Sequence, residues 1–130
     1  MKKIEVVAAV IEHQGKILAV QRGASKLPYI SQKWEFPGGK MEADETEEQT
    51  IIREIREELH MNILPKEKLL TVQHTYPDFH LTMHTWLCDA ETSTLTLTEH
   101  TDYKWLLLAE LHDLDWAGAD VPIVSTLENR

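Results

Sequence analysis

Apolar and polar positions alternate at two different periods along the chain, and the change of period marks its main elements. Residues 4–11 form an apolar run of strand length, and His13-Gln14-Gly15 turns it into a second strand over 16–21, a predicted hairpin. Residues 23–33 carry Ser25, Pro28 and Ser31 and predict a loop. A short strand, Trp34-Glu35-Phe36, then enters Pro37-Gly38-Gly39, where glycines let the backbone approach a ligand or metal closely. Beyond that turn the period lengthens to that of a helix. Ile51, Ile52, Ile55 and Leu59 fall on one stripe, and Thr46 with Gln49 three residues later makes a capping box that starts the helix near Glu47.

The remainder returns mostly to strand periodicity. Residues 62–68, with Pro65, predict a polar connection, followed by strands over 69–76 and 80–90 on either side of a Pro77-Asp78 hairpin turn. The Thr-rich stretch 94–98 predicts a further strand, 99–102 a polar loop, 103–107 a last strand and 109–112 a helical turn. A final helix is expected near Asp120, with Asp120 as N-cap, Pro122 in the first turn and Ile123, Val124 and Leu127 behind it. This order of elements predicts an α/β fold, a mixed sheet between helices, in a single domain over residues 1–130.

The polar face of the first helix carries the chemistry. Glu54, Glu57 and Glu58 stand three and four residues apart, so their carboxylates converge on one patch away from the apolar stripe. Like charges at this spacing weaken a helix. A solvated acidic face is the plain reading of a Glu-Glu pair, whereas three clustered hard oxygen ligands suit Mg²⁺ or Mn²⁺.

Composition narrows the class. With 42% hydrophobic and 27% charged residues in 130, the chain is an ordinary globular domain with room for a core. No apolar run is long enough to span a bilayer, and Met1-Lys2-Lys3 leads into a strand and not a signal core, so a cytoplasmic protein without a membrane partner is expected. The single cysteine, Cys88, lies in an apolar strand and reads as a buried inert thiol. A net charge of −9 argues against a nucleic-acid polymer as partner. It admits a polyphosphate only where cations intervene, which ties the carboxylate cluster to a metal. His80 and His84 share a strand face but lie about 13 Å apart, too far to chelate one ion. A monomer or small homo-oligomer is expected.

Spacing then adds a family. From Gly39, five residues lead to Glu45 and seven more to Arg53-Glu54, followed by Ile55, Arg56, Glu57-Glu58, Leu59, His60 and Met61. Residues 39–61 resemble the Nudix box, with one departure: His60 stands where the family usually has Gly, which predicts a strained or altered helix cap. Weaker similarity to MutT-like and CTP pyrophosphohydrolase-like members runs through Trp34-Glu35-Phe36-Pro37, Trp86 and Ala119-Asp120-Val121-Pro122. The resemblance implies an α/β/α sandwich and hydrolysis of a nucleoside diphosphate linked to another group. It implies Mg²⁺ held by Glu54, Glu57, Glu58 and a Gly38 or Gly39 carbonyl. Arg53 would orient the carboxylates through ion pairs, with Glu45 among its partners. Glu99 takes the place of an additional metal-associated glutamate, and Glu54, Glu57 and Glu99 are all candidates for general base. The segment holding Glu35 and Phe36 would line the nucleotide site, and Arg22, at the end of its strand, could clamp a phosphate.

Base preference follows from two departures. Members that remove oxidised guanine nucleotides carry a base-recognising Asn where this chain has Asp120, and an Arg where it has Phe79. An ionised Asp only accepts hydrogen bonds, which suits an exocyclic amine such as cytosine N4, with Phe36 stacking on the ring. The expected substrate is a small-molecule nucleoside triphosphate, (d)CTP or a 5-modified form, cleaved to monophosphate and pyrophosphate. The alternatives are 8-oxo-dGTP, ADP-ribose or another nucleotide-sugar, and a non-catalytic binding module, which the intact carboxylates disfavour.

Overall fold

The structure, a computed structural model, describes residues 1–130. Its order is β1 (Lys2–His13), β2 (Lys16–Gln21), β3 (Trp34–Glu35), β4 (Gly38–Lys40), α1 (Glu47–Leu59), β5 (Ile63–Thr75), β6 (Phe79–Ala90), β7 (Asp102–Leu106), two 3₁₀ turns (Leu108–Asp113 and Gly118–Asp120) and α2 (Val121–Glu128). One mixed sheet runs β3-β2-β1-β6-β5, with β4 added to β1 and β7 to β2. Strand β1 is its centre, parallel to β6 and antiparallel to β2 and β4.

The continuous apolar run of β1 is explained by what lies on both sides of it. Val7, Ala9 and Ile11 join Ile51, Ile55 and Leu59 of α1 in one core. Ala8 and Val10 face the other way, into a core with Ile123, Val124 and Leu127 of α2. A strand covered on both faces has no polar face, and two helical layers around it make the α/β/α sandwich. Energetics on α1 favour this strongly. Ile51, Ile55 and Leu59 are fully buried, each stabilising by about 1.5–3 kcal/mol, against a few tenths of a kcal/mol for each like-charge pair opposite.

Both ends of α1 are closed by specific bonds. Thr46 Oγ1 accepts from the Gln49 N–H while the Thr46 N–H donates to Gln49 Oε1, the predicted capping box. At the other end His60 adopts the left-handed conformation, φ 52° and ψ 38°, and donates its N–H to the Arg56 carbonyl. The cap is that of a Gly held by a residue with a Cβ, so the strain expected from the sequence is present.

Several expectations are corrected. Residues 62–68 are not a polar connection: β5 begins at Ile63, and Pro65 is tolerated because β5 is an edge strand whose register shifts between Pro65 and Glu67 and again between Lys68 and Leu70. Residues 94–98 are not a strand. Their N–H groups go to the open end of α1, Thr96 to the Leu59 carbonyl and Thr98 to that of Glu58, while Thr98 Oγ1 also donates to Glu58 O. Leu95 and Leu97 pack under this strap, which uses its backbone bonds on helix ends that would otherwise lack partners. The turn predicted at Gly38-Gly39 pairs with Ala8 and Val7 of β1 as strand β4. The helical turn at 109–112 is a 3₁₀ turn, Leu108–Asp113.

Candidate active site

Arg53 organises the outer part of the site. Its Nε and Nη2 donate to Glu45 at 2.7 and 2.9 Å, its Nη1 to Glu54 at 2.9 Å and Glu57 at 3.3 Å, and Nη2 also reaches the Lys40 carbonyl at 3.1 Å. One guanidinium thus ties the linker before α1, the end of β4 and two helical carboxylates together, which a lysine could not do with one ammonium. Arg53 holds the Glu45 carboxyl down at a pKa of about 2, helped by the Glu42 N–H and Thr50 hydroxyl. Glu45 in turn raises the proton affinity of Arg53.

Glu58 is different in kind. It turns inward, and burial, with Glu54 and then Glu99 adding like charge, lifts its pKa to about 9. Its Oε2 is buried without a hydrogen-bond partner. No three acidic, histidine or cysteine side chains are gathered around one point: Glu54 and Glu57 are turned to Arg53, and Glu58 keeps the free oxygen. A hard carboxylate oxygen buried without a partner, with the like charges of Glu54 and Glu99 acting on it, is a donor that a divalent cation fits. The neighbouring glycine supports that fit, because a Cβ on Gly39 would lie 2.3 Å from the Glu54 carboxylate.

The two glycines therefore separate by experiment. A Cβ on Gly38 would come within 1.9 Å of the Val7 carbonyl, so Gly38→Ala is expected to destabilise the fold by about 3 kcal/mol or more. Gly39→Ala displaces only the end of a flexible side chain; kcat is expected to fall about 10–100-fold with melting nearly unchanged. Thermal melts beside turnover assays distinguish them, and a Gly39→Ala protein that melts early with normal kcat would contradict the placement of Glu54.

A cavity of about 680 Å³ opens beside these residues, within the range that takes a nucleotide-sized ligand. Gly38, Gly39, Glu58 and Glu99 line it, together with Arg22, Glu35, Phe36 and Asp120. Arg53 and Glu57 do not reach it; with Gln49, Ile52 and Arg56 they line a separate recess on the outer side of α1. Glu99 is exposed, delivered to the cavity by the strap over the end of α1.

Asp120 departs from its expected capping role. It precedes α2 but makes no side-chain cap. Its Oδ1 instead accepts from the Phe36 N–H at 2.9 Å, and the residue is 5% exposed. Burial first, and then the charge of Glu35, pushes its pKa well above the ordinary carboxylate range. Ala119, next to it, donates its N–H to the Tyr76 hydroxyl, fixing the turn that carries Asp120.

Phe36 is also corrected. Its ring is 3% exposed and stacked on Trp116 at 4.6 Å between centroids, so one face is already covered. The less buried aromatic ring on the cavity wall is Phe79, packed against Tyr76 at 5.1 Å. Sequence reasoning noted Phe79 only as a departure and missed His100 altogether. His100 Nε2 lies 2.9 Å from Glu35 Oε2, and Arg22 Nη1 lies 3.3 Å from Glu35 Oε1. His84 lies among Lys68, Thr71 and Glu47 and does not line the cavity.

Comparison with known proteins agrees with this architecture. Residues 6–126 match the NUDIX domain. The CTP pyrophosphohydrolase of Escherichia coli (strain K12) is 38% identical over 124 residues, 95% of this chain and 90% of that protein. The 8-oxo-dGTP diphosphatase of the same organism is 29% identical over 133 residues, 98% of each. The solution structure of the E. coli ORF135 protein superposes with a TM-score of 0.82 at 36% identity, covering 99% of this chain and 91% of that one. With the domain matched over nearly its whole length and a relative this similar over almost all of it, the chain belongs to the Nudix family of hydrolases.

Proposed function

We propose that the protein cleaves a cytidine or deoxycytidine triphosphate, including 5-substituted forms, to the monophosphate and pyrophosphate, as one domain over residues 1–130. The observation that carries this reading is Asp120, a buried carboxyl freed from capping and held at the cavity wall by the Phe36 N–H. It offers an acceptor to the exocyclic amine that distinguishes cytosine from uracil. A relative named CTP pyrophosphohydrolase adds support.

Glu54, Glu57, Glu58 and a Gly38 or Gly39 carbonyl would hold Mg²⁺, or Mn²⁺ in its place. When bound, the ion neutralises phosphate charge and lowers the pKa of water. Arg53 keeps Glu54 and Glu57 oriented through the bonds described above, removing their freedom before substrate arrives. Glu99, exposed on the wall beside Glu58, takes the proton of the attacking water. Arg22, already at the cavity, adds positive charge for a phosphate, and Phe79 gives the base an aromatic surface.

A panel of CTP, dCTP, 5-methyl-dCTP, 8-oxo-dGTP, dATP and ADP-ribose, with and without Mg²⁺, tests the assignment by pyrophosphate or AMP release. Cytidine nucleotides are expected to give the highest kcat/KM, only with metal. Asp120→Asn is expected to lower kcat/KM for dCTP about 10–100-fold. Its amide oxygen still accepts from the Phe36 N–H, and removing a buried carboxyl is expected to raise stability by about 1 kcal/mol. A preference for 8-oxo-dGTP, the activity named for several relatives, would overturn the cytidine assignment.

A further inference from the structure

Two features of His100 call for an account that the cleavage reaction does not supply. The side chain is only 7% exposed, and its Nδ1 is buried with no hydrogen-bond partner. A leucine or phenylalanine would fill such a site without an unpaired polar atom, so the imidazole is kept at a cost in stability. What it makes is one bond, Nε2 to Glu35 Oε2 at 2.9 Å. Because a carboxylate oxygen accepts, Nε2 must carry the proton, and the ring acts here as a donor.

That bond completes the hold on Glu35. Arg22 Nη1 approaches the other oxygen at 3.3 Å, so both oxygens face donors, and Glu35 still lines the cavity with 19% of its side chain exposed. A carboxylate gripped in this way presents only lone pairs. Asp120 alone does not guarantee that property: burial favours its acid form, and a carboxylic acid has a donor and an acceptor, able to pair with the amine side of cytosine or, turned over, with the carbonyl side of uracil. Discrimination needs a second group that can only accept. Glu35 acts electrostatically on Asp120 and lies on the same wall, where the second hydrogen of an exocyclic amine can meet it.

We infer that His100 is a positioning residue for base selection, which through Nε2–H fixes the Glu35 carboxylate as a second acceptor beside Asp120 for an amine-bearing pyrimidine. The inference rests on the cytidine assignment above and adds the part that rejects uridine nucleotides. The carbonyl oxygen of uracil would face the oxygens of Glu35 with no hydrogen between them. His100 touches neither substrate nor the reacting phosphorus in this role; it acts through Glu35.

The test is the ratio of kcat/KM for dCTP to that for dUTP in the wild type, His100→Leu, His100→Gln, Glu35→Gln and the Glu35→Gln/His100→Leu double variant, with melting curves for each. His100→Leu is expected to lower the ratio about tenfold, the size of one lost charge-assisted hydrogen bond, with the loss appearing in KM for dCTP. His100→Gln, whose amide N–H can take the place of Nε2–H, is expected to restore most of the ratio. The double variant should be no less selective than Glu35→Gln alone, because both changes remove one unit. If His100→Leu lowers kcat on both nucleotides alike with the ratio intact, if His100→Gln is no better than His100→Leu, or if the two losses add, the role is refuted while the cytidine assignment stands. A wild type that does not distinguish dCTP from dUTP overturns both. Should His100→Leu fail to fold, the ratio in His100→Gln against Glu35→Gln decides: equal loss of selectivity in both refutes the positioning role.

Discussion

Glu57→Gln is expected to lower kcat by about 10³-fold or more while leaving the fold in place. The two halves of that statement have separate causes. The Glu57 side chain is 60% exposed and its one close bond, to Arg53, is 3.3 Å long, so little stability depends on it; exposed pairs contribute about 0–1 kcal/mol. Its proposed work is to give a full negative charge to the cation, which an isosteric amide cannot do. Circular dichroism and melting of the variant beside Mg²⁺-dependent pyrophosphate release separate the effects. Wild-type turnover in a well-folded Glu57→Gln protein would remove Glu57 from the metal site and leave Glu58 as its centre.

The second large effect is a coupling between metal, pH and stability that runs through Glu58. Without metal, its pKa stands near 9 against an ordinary 4.5, so the folded state prefers the protonated carboxyl. A raised pKa contributes stability that is complete below the unfolded value and is lost as pH rises through the folded one. Metal-free protein is therefore expected to melt at falling temperatures between about pH 4.5 and pH 9. A divalent cation binds the ionised form, so Mg²⁺ stabilisation should grow over the same interval. At a hundred times its dissociation constant a ligand of the folded state adds about 2.7 kcal/mol, which for a domain of this size is a shift of roughly 10 °C. Glu58→Gln should flatten both trends. An Mg²⁺ shift of equal size at pH 6 and pH 9, or one that survives in Glu58→Gln, would show that Glu58 does not bind the ion.

How much of this was legible in the sequence depends on where each signal resides. Helix α1 was readable in start, stripe and end because its capping box, its Ile and Leu positions and its odd His60 are all local. The strap over 94–98 was not: alternating Thr and Leu suit a strand, and only the open carbonyls of α1, distant in the chain, take its hydrogen bonds instead. Asp120 before Val121-Pro122 has every local mark of an N-cap, yet its oxygen serves Phe36 across 84 residues. Phe36 looked available for stacking until Trp116 covered it. His100 carries no sequence signal at all, since its meaning lies in a bond to Glu35 across 65 residues. Pairwise motifs within a helix or turn can be read from order; partners supplied by the sheet cannot.

The central position of β1 bears on how the protein comes to exist on the ribosome. Lys2 pairs with Phe79 and Gln21 with Asp102, so the amino-terminal hairpin must wait for most of the chain before it gains its neighbours. Such a topology has high contact order and folds slowly, on the order of milliseconds to seconds. The waiting segments are apolar strands with unpaired edges, which are open to non-native pairing in the interval. Destabilised variants of the sheet should accordingly show their defect as poor soluble yield during synthesis before any loss is visible in the specific activity of the fraction that has folded.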